Sequence, residues 1–210
     1  MSDKLEQYIL EHSDPEDPLL ADMARNAQVN LLRPRMISGH SQASLIKMIC
    51  RMTGAKKILE IGTYTGYTTL VMAETLDEAG IIDTIEIDDE MEAFITRYFS
   101  ASPHSAKIRL HIGDAINIIP TLDDGYDLVF IDANKREYKA YYDLVFSKVR
   151  KGGIILADNT LWGGKTFEPP PPADRQTFGI LEFNDYIAAD VRIEKTILPL
   201  RDGLTIIWKK

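Results

Sequence analysis

The feature that most constrains the fold of this chain is the run from Lys57 to Tyr67, with the sequence KILEIGTYTGY. A β-branched apolar segment ends at Glu60-x-Gly62, and a second glycine, Gly66, precedes a helix-like segment. Glycine has no Cβ, so such a turn lets the backbone approach a bound cofactor closely. The Gly-x-x-x-Gly spacing differs from the Gly-x-Gly-x-x-Gly fingerprint of dinucleotide sites. The run predicts a strand-turn-helix corner beside a small nucleotide-type cofactor, and an ordinary corner without a ligand is the alternative.

Length and composition favour a single α/β domain over residues 1–210, since 45% of the side chains are hydrophobic. We expect residues 1–53 to form a helical cover over the cofactor site and residues 54–210 to form the core. The net charge of −8 disfavours nucleic acid as a partner, because phosphate backbones require a basic face. No apolar run approaches membrane-spanning length. The single cysteine, Cys50, fits a small buried side chain in a protein of the reducing cytoplasm.

Strand and helix patterns alternate from residue 56 onward, which predicts a mostly parallel sheet with helices on both faces. We expect strands near 57–61, 81–87, 107–112, 126–131 and 152–157. We expect helices near 66–78, 89–100, 115–121, 136–149 and 174–189. The segments 192–199 and 204–209 form a closing antiparallel hairpin, because Asp202-Gly203 between apolar runs is a turn signal. The proline tract at 169–172 predicts a stiff loop.

Each of the five core strands is followed by an acidic residue at its carboxyl end. In open α/β sheets, ligands bind in the crevice outside these strand ends. Glu86 lies twenty residues after Gly66, about where a ribose-binding acid is expected. The acids in order along the chain are Glu60, Glu86, Asp114, Asp132 and Asp158. This pattern favours a functional edge over a merely solvated rim.

Two of these strand ends carry a different chemistry. Asp132, Asp158 and Asn159 supply hard oxygen ligands of the kind that suits Mg²⁺, Mn²⁺ or Ca²⁺. A pair that only turns the chain and caps a helix is the alternative for Asp158 and Asn159. Lys135 follows Asp132 by three residues and is a candidate base, or else a solvent-facing lysine. Trp162 lines an aromatic substrate pocket or packs in the core.

Taken together, these motifs resemble the cation-dependent small-molecule O-methyltransferases, the group that contains caffeoyl-CoA and catechol O-methyltransferases. The resemblance runs from about residue 33 to the C-terminus, and its anchors are LEIGTYTGY, FIDANK, LADNTLW and LRDGLTI. It implies a Rossmann-like class I methyltransferase fold with a seven-stranded sheet. It also implies S-adenosylmethionine as methyl donor, a divalent cation that is usually Mg²⁺, a phenolic small-molecule substrate and a homodimer.

The resemblance further implies roles for single residues in the cofactor site. The methionine end of the cofactor is assigned to Met36, Glu60, Gly62 and Thr63. Its ribose hydroxyls are assigned to Glu86, and its adenine to Asp114 and Ala115. A glycine common in the early helix of the family is Ala43 here, which puts the geometry of that segment in question.

In the second half of the site, the resemblance makes Asp132, Asp158 and Asn159 the metal ligands and Lys135 the general base. Asp132 also borders the cofactor and takes part in catalysis. Asn134 stands where the family often has aspartate, so one negative charge is missing. Two other functions stay open: a nucleotide-cofactor oxidoreductase, which lacks its third glycine here, and a catalytically silent binding module.

Overall fold

A computed structural model describes residues 3–170 and 172–210. Its strands are β1 (Lys57–Ile61), β2 (Ile81–Glu86), β3 (Ile108–Ile112), β4 (Tyr126–Ile131), β5 (Val149–Asp158), β6 (Ile193–Leu198) and β7 (Leu204–Lys209). The helices are α1 (Asp3–Glu11), α2 (Pro18–Asn30), α3 (His40–Thr53), α4 (Tyr67–Ala73), α5 (Glu92–Ala101), α6 (Ala115–Ile118), α7 (Tyr138–Lys148) and α8 (Arg175–Ala189). Short 3₁₀ turns follow β4 at 135–137 and β5 at 162–167.

The strands form one seven-stranded sheet in the order β3-β2-β1-β4-β5-β7-β6. The first five strands are parallel, and β7 is antiparallel to both of its neighbours. The predicted fold class is therefore confirmed, including the antiparallel hairpin at the C-terminus. Strand order reverses between β1 and β4, which is the topological switch point where open sheets of this type bind ligands.

Helices cover both faces of the sheet because side chains alternate along each buried strand. Along β4, Val129 and Ile131 pack on one face with residues of α7 and α8, whereas Leu128 and Phe130 pack on the other with residues of α3 and α4. Cys50 of α3 belongs to the second of these clusters, and burial raises the pKa of its thiol to about 12. Cys50 is thus the small, inert core residue that the sequence predicts.

The described N-terminal segment is largely helical, and α2 and α3 pack against the elements that follow them in the chain. Asp17 caps α2 by accepting a hydrogen bond from the backbone N–H of Leu19 at 2.8 Å, and Pro18 occupies the first turn. Met23 and Ala27 of α2 are fully buried, and Met23 packs in the cluster that also holds residues of α4 and α5. Residues 1–2 lie outside the described part of the chain.

Two predicted boundaries are wrong. The helix expected over 66–78 ends at Ala73, where the backbone N–H groups of Thr75 and Leu76 donate to carbonyls only three residues earlier, at 3.0 and 3.3 Å, and the chain turns. Strand β5 begins at Val149 rather than at residue 152, because a register shift opposite Tyr126 lets the strand pass through its two glycines. Of the proline tract 169–172, residue 171 lies outside the described residues. No helix in the described ranges is long and apolar enough to cross a membrane.

Candidate active site

A cavity of about 580 Å³ opens at the carboxyl ends of β1, β2, β4 and β5. It lies at the switch point between β1 and β4, where Asp132 N–H donates to the Ile61 carbonyl at 2.9 Å. Most of the site residues predicted from the sequence contribute to its wall. They are Met36, Gly62, Glu86, Ala115, Asp132, Lys135, Asp158, Asn159 and Trp162.

Gly62 forms the floor of the cavity on the cofactor side. Its φ is +96°, in the left-handed region, and a Cβ would overlap the carbonyl group of Asp132 on the adjacent strand end. Its N–H donates to the Ile85 carbonyl at 3.0 Å, which ties the turn to β2. Any side chain at this position would push β1 and β4 apart, so the sequence requires glycine here.

Glu86 presents a carboxylate at the end of β2. Its two oxygens accept hydrogen bonds from the backbone N–H groups of Tyr64, at 2.6 Å, and of Asp88, at 2.9 Å. The two amides fix the orientation of the carboxylate, and Glu86 lines the cavity beside Gly113 and Ala115. A fixed acceptor at the same cavity wall as Gly62 has the chemistry to bind vicinal hydroxyl groups.

Three predicted cofactor residues do not line this cavity among the described residues. Glu60 points into the protein, where its Oε2 accepts hydrogen bonds from Thr84 at 2.6 Å and from Thr69. Thr63 hydrogen bonds to Thr84 at 2.6 Å and lines a small adjoining pocket. Asp114 caps α6 by accepting from the Ile116 N–H at 2.9 Å.

Glu60 is an unusual acid because it is 1% exposed. Burial raises the pKa of Glu60 to about 8, against the lowering effect of the two threonine hydroxyls. Its Oε1 has no hydrogen-bond partner among the described residues. Glu60 is therefore mostly neutral at pH 7, and its contacts join β1, β2 and α4 behind the Gly62 turn.

The oxygen-rich part of the cavity is formed by Asp132, Asp158 and Asn159. Asp158 Oδ1 accepts from the Asn159 N–H at 2.8 Å, and Oδ2 accepts from Gln42 Nε2 at 2.7 Å. Burial, followed by the negative charge of Asp132, raises the pKa of Asp158 to about 6. A buried carboxylate whose ionisation is disfavoured by burial and by a neighbouring negative charge is one that a bound cation stabilises.

The donor set fits a hard divalent cation rather than a zinc-type centre. Across the described ranges, no group of three or more His, Cys, Asp or Glu side chains is arranged to hold a metal. The candidate set is instead two carboxylates and one amide, which leaves coordination positions for water or substrate oxygens. Asn159 has a φ of +58°, so a left-handed backbone, tolerated by asparagine, turns it at the end of β5.

Lys135 is buried, with 7% of its surface exposed, so it is not the solvent-facing lysine of the alternative interpretation. Its Nζ donates to Asp132 Oδ1 at 2.7 Å and to the Tyr138 hydroxyl at 2.6 Å. Tyr138 in turn donates to the Ile131 carbonyl at 3.3 Å. Burial, with the nearby charges of Asp132 and Asp158, raises the pKa of Tyr138 well above its ordinary value. The tyrosine therefore stays protonated and holds the ammonium group in place.

Backbone strain is concentrated around the cavity. In the described part of the chain, the non-glycine residues with positive φ are Tyr64, Asn159, Trp162 and Arg201, and all four line the cavity. A left-handed backbone costs about 1–2 kcal/mol at such a residue, so it persists where surrounding contacts enforce it. Strain of this kind clusters at binding sites.

The cavity wall also includes an aromatic side chain and three basic side chains. Trp162 lines the cavity, and its buried Nε1 has no acceptor among the described residues. Three exposed arginines, Arg33, Arg35 and Arg201, line the same opening. Arg201 donates to the Ile37 carbonyl at 3.1 Å, which fastens the hairpin turn to the N-terminal cover.

A family model described as O-methyltransferase matches residues 10–210. The chain belongs to this O-methyltransferase family. It is 32% identical to the probable caffeoyl-CoA O-methyltransferase 2 of Dictyostelium discoideum over 207 residues, covering 96% of the chain and 90% of that relative. It is 34% identical to caffeoyl-CoA O-methyltransferase 1 of Arabidopsis thaliana over 222 residues, covering 98% of the chain and 84% of the relative.

The fold is shared with solved members of the O-methyltransferase group. The chain superposes on the O-methyltransferase TomG of Streptomyces achromogenes, solved in complex with SAM, with a TM-score of 0.92 and 26% identity. That match covers 100% of both chains. The family and the enzyme class predicted from the motifs are thereby confirmed.

Two residues that hold the polar groups of this O-methyltransferase's cavity were not among the sequence predictions. Tyr138 follows Lys135 by three residues, a spacing that puts both on one side of a helical turn and was an available signal. Gln42 contacts Asp158 across 116 positions of the chain, and nothing in the local sequence indicates that contact. Such long-range pairs arise from the packing of the cover on the core.

Proposed function

We propose that this protein transfers a methyl group from S-adenosylmethionine to one hydroxyl of a vicinal dihydroxy phenol, with the help of a divalent cation. The observation that carries the proposal is the cavity that joins Gly62 and Glu86 to Asp132, Lys135 and Asp158. A cofactor half and an acid-rich half of one cavity match a reaction that brings a donor and a metal-chelating acceptor together.

The cofactor half takes S-adenosylmethionine. Glu86 accepts the ribose hydroxyls, Ala115 borders the adenine, and Met36 and Gly62 meet the methionine end. Glu60 supports this half from behind through its threonine contacts rather than by touching the cofactor. The similar TomG enzyme was solved in complex with SAM, which supports the same donor here.

The cation is held by the oxygens of Asp132, Asp158 and Asn159, and Mg²⁺ fits this hard donor set best. When bound, it supplies Lewis-acid chemistry that favours the ionised form of a chelated phenol. Asp132 and Asp158 therefore hold the cation, and their negative charges balance its positive charge.

Lys135 is the proposed acceptor of the phenolic proton. Its Nζ lies between the Asp132 carboxylate and the Tyr138 hydroxyl, so its position is fixed before a substrate arrives. To act as the base, the Lys135 ammonium group would first give up one proton to solvent, and its neutral Nζ would then accept the phenolic proton. The phenolate oxygen then forms a bond to the methyl carbon as the carbon–sulfur bond breaks, and the sulfonium becomes a neutral thioether. Opposite charges disappear in this step, so the cavity contributes mainly orientation and exclusion of water.

Side chains in the wall of the cavity favour a particular class of substrate. Trp162 offers an aromatic surface and an unpartnered Nε1 donor among the described residues. Arg33, Arg35 and Arg201 at the opening favour a phenol that carries an anionic substituent. A cytoplasmic homodimer completes the proposal, since the resemblance implies a dimer and a lone buried cysteine fits a reducing compartment.

Calorimetry with S-adenosylmethionine and with NAD separates the proposal from an oxidoreductase. We expect S-adenosylmethionine to bind and NAD to give no heat. Incubation with labelled S-adenosylmethionine and Mg²⁺ then compares catechol with phenol, and only catechol should gain the label. Binding of NAD alone would favour the oxidoreductase, and cofactor binding without transfer to any vicinal diol would favour a silent binding module.

A further inference from the structure

Gln42 connects the N-terminal cover to the acid-rich part of the cavity. It lies in the first turn of α3, is 1% exposed, and donates from Nε2 to Asp158 Oδ2 at 2.7 Å. The neighbouring buried residues of α3 are apolar, among them Ala43 and Ile46. An amide in these surroundings requires an explanation, because a buried polar side chain is costly unless its groups are paired.

The amide of Gln42 is only half satisfied. Its Oε1 is buried and has no hydrogen-bond partner among the described residues. An unpaired buried acceptor is destabilising, so a methionine or leucine here would serve the stability of α3 as well or better. Gln42 is therefore explained by the group that its Nε2 holds rather than by packing.

The group it holds is already restrained on its other side. Asp158 Oδ1 accepts from the backbone N–H of Asn159 at 2.8 Å, and Gln42 occupies Oδ2. With one donor on each oxygen, the carboxylate plane is held against rotation, yet each oxygen keeps a free lone pair. Such outer contacts orient the direct ligands of metal sites and strengthen binding.

We infer that Gln42 is a positioning residue, which fixes the Asp158 carboxylate in the orientation that binds the divalent cation. This inference rests on the proposed function, because it takes Asp158 as a ligand of that cation. It assigns to the cover segment a part in cation binding, from a residue that lies outside the four sequence motifs on which the family resemblance rests.

The test measures Mn²⁺ binding directly, by calorimetry and by the loss of the free Mn²⁺ signal in electron paramagnetic resonance. Gln42→Met keeps the length of the side chain and removes the donor. We expect the Mn²⁺ dissociation constant to rise about 10- to 100-fold, the usual effect of removing an outer-shell partner. The dissociation constant for S-adenosylmethionine should not change, since Gln42 does not line the cavity among the described residues.

Two controls separate positioning from general damage. Gln28→Met makes the same change on the exposed face of α2 and should leave Mn²⁺ affinity unchanged. Tyr126→Phe removes a hydroxyl that donates to Asp83 at 2.9 Å, at the opposite end of β4 from the cavity. It should lower the melting temperature without weakening Mn²⁺ binding, which shows that lost stability alone does not produce the effect.

A measurement on the unaltered protein covers the case in which Gln42→Met does not fold. The side-chain NH₂ resonances of Gln42 should shift during a Mg²⁺ titration, with the midpoint of the binding isotherm. The inference would be overturned if Gln42→Met bound Mn²⁺ with wild-type affinity. It would also be overturned if the Gln42 NH₂ resonances did not shift while the protein bound Mg²⁺. Either result would leave the proposed function intact. Failure of the unaltered protein to bind Mn²⁺ or Mg²⁺ would contradict both.

Discussion

At the scale of single residues, the cavity depends on polar groups whose charge is set by burial. Glu60 is the clearest case, since it has the sequence position of a cofactor ligand but contacts Thr69 and Thr84 inside the protein. Burial raises the pKa of this carboxyl group against the lowering effect of its two hydroxyl donors, so the neutral group links β1 to Thr69 and Thr84. Its effect on function is therefore expected through the stability of the Gly62 turn.

Because Glu60 is neutral in the folded protein, we expect the free energy of unfolding to depend on pH. Below pH 4.5 the carboxyl is protonated in both states, and between pH 4.5 and about 8 only the unfolded chain loses the proton. In that window the folded state binds more protons, so the wild-type free energy of unfolding falls as pH rises. Glu60→Gln removes this penalty, and its stability relative to wild type should rise by about 1.4 kcal/mol per pH unit.

Urea unfolding of both proteins across that window measures the difference. Glu92→Gln, which changes an exposed glutamate in the first turn of α5, is the matched control and should give a difference independent of pH. A constant gap between Glu60→Gln and wild type would mean that Glu60 is ionised in the folded protein.

A second prediction concerns the proposed role of Lys135 as the base. Lys135→Met removes the amine that we propose as the base, and we expect kcat to fall by about 10²- to 10⁴-fold, the range for losing a general base. Affinity for S-adenosylmethionine should remain, because Gly62, Glu86 and Ala115 are unchanged.

Steady-state kinetics and calorimetry on the same preparations provide the measurement. Lys139→Met is the control, since Lys139 forms an exposed ion pair with Asp143 at 2.8 Å and should leave kcat unchanged. Unreduced kcat in Lys135→Met would exclude Lys135 as the base.

At the scale of elements, α8 determines where Lys135 lies. Gly179 of α8 packs on the turn at 135–137, and a Cβ there would overlap the Lys135 carbonyl and the Arg136 Cα. The absence of a side chain lets the helix come into contact with the backbone of the turn. The position of Lys135 is thus set by a helix that lies much later in the chain.

We therefore expect Gly179→Ala to lower both kcat and the melting temperature, although alanine stabilises an ordinary helix interior by about 1 kcal/mol. The added methyl group displaces the turn and with it the contact from Lys135 to Asp132. Thermal unfolding and methyl-transfer kinetics check this, with the exposed Glu182→Ala on the same helix as control. A more stable and fully active Gly179→Ala would show that the turn does not depend on this contact.

Some features of these helices and strands can be predicted from the local sequence, and others cannot. Local signals suffice for the strands and for the acids at their ends, because strand ends in a parallel sheet meet at one edge. Lys135 near Asp132 follows from a spacing of three residues. Gln42 on Asp158 and Gly179 on the turn do not follow, because they depend on how distant helices pack.

The side-chain orientation of Glu60 also does not follow from the local sequence. Its position near the end of β1 is readable in the sequence, but the direction of its side chain depends on Thr84 of the adjacent strand and Thr69 of α4. The two misplaced boundaries have a similar origin. A backbone turn ends α4 early, and a register shift extends β5.

At the scale of the whole molecule, the strand order divides the cavity between two parts of the chain. The ends of β1 and β2 supply Gly62 and Glu86, and the ends of β4 and β5 supply Asp132 and Asp158. The two parts meet at the switch point, and we propose that donor and acceptor bind side by side there. This division predicts that cation binding can be removed while cofactor binding persists.

Methyl transfer to catechol in the presence and absence of a chelator tests directly whether this protein is a cation-dependent methyltransferase. With S-adenosylmethionine and Mg²⁺ we expect methylated catechol, no product in excess EDTA, and full recovery when Mg²⁺ is added back. Asp158→Ala should bind S-adenosylmethionine with wild-type affinity and form no product under any of these conditions. Full turnover in EDTA, or undiminished turnover in Asp158→Ala, would contradict a cation-dependent methyl transfer at this site.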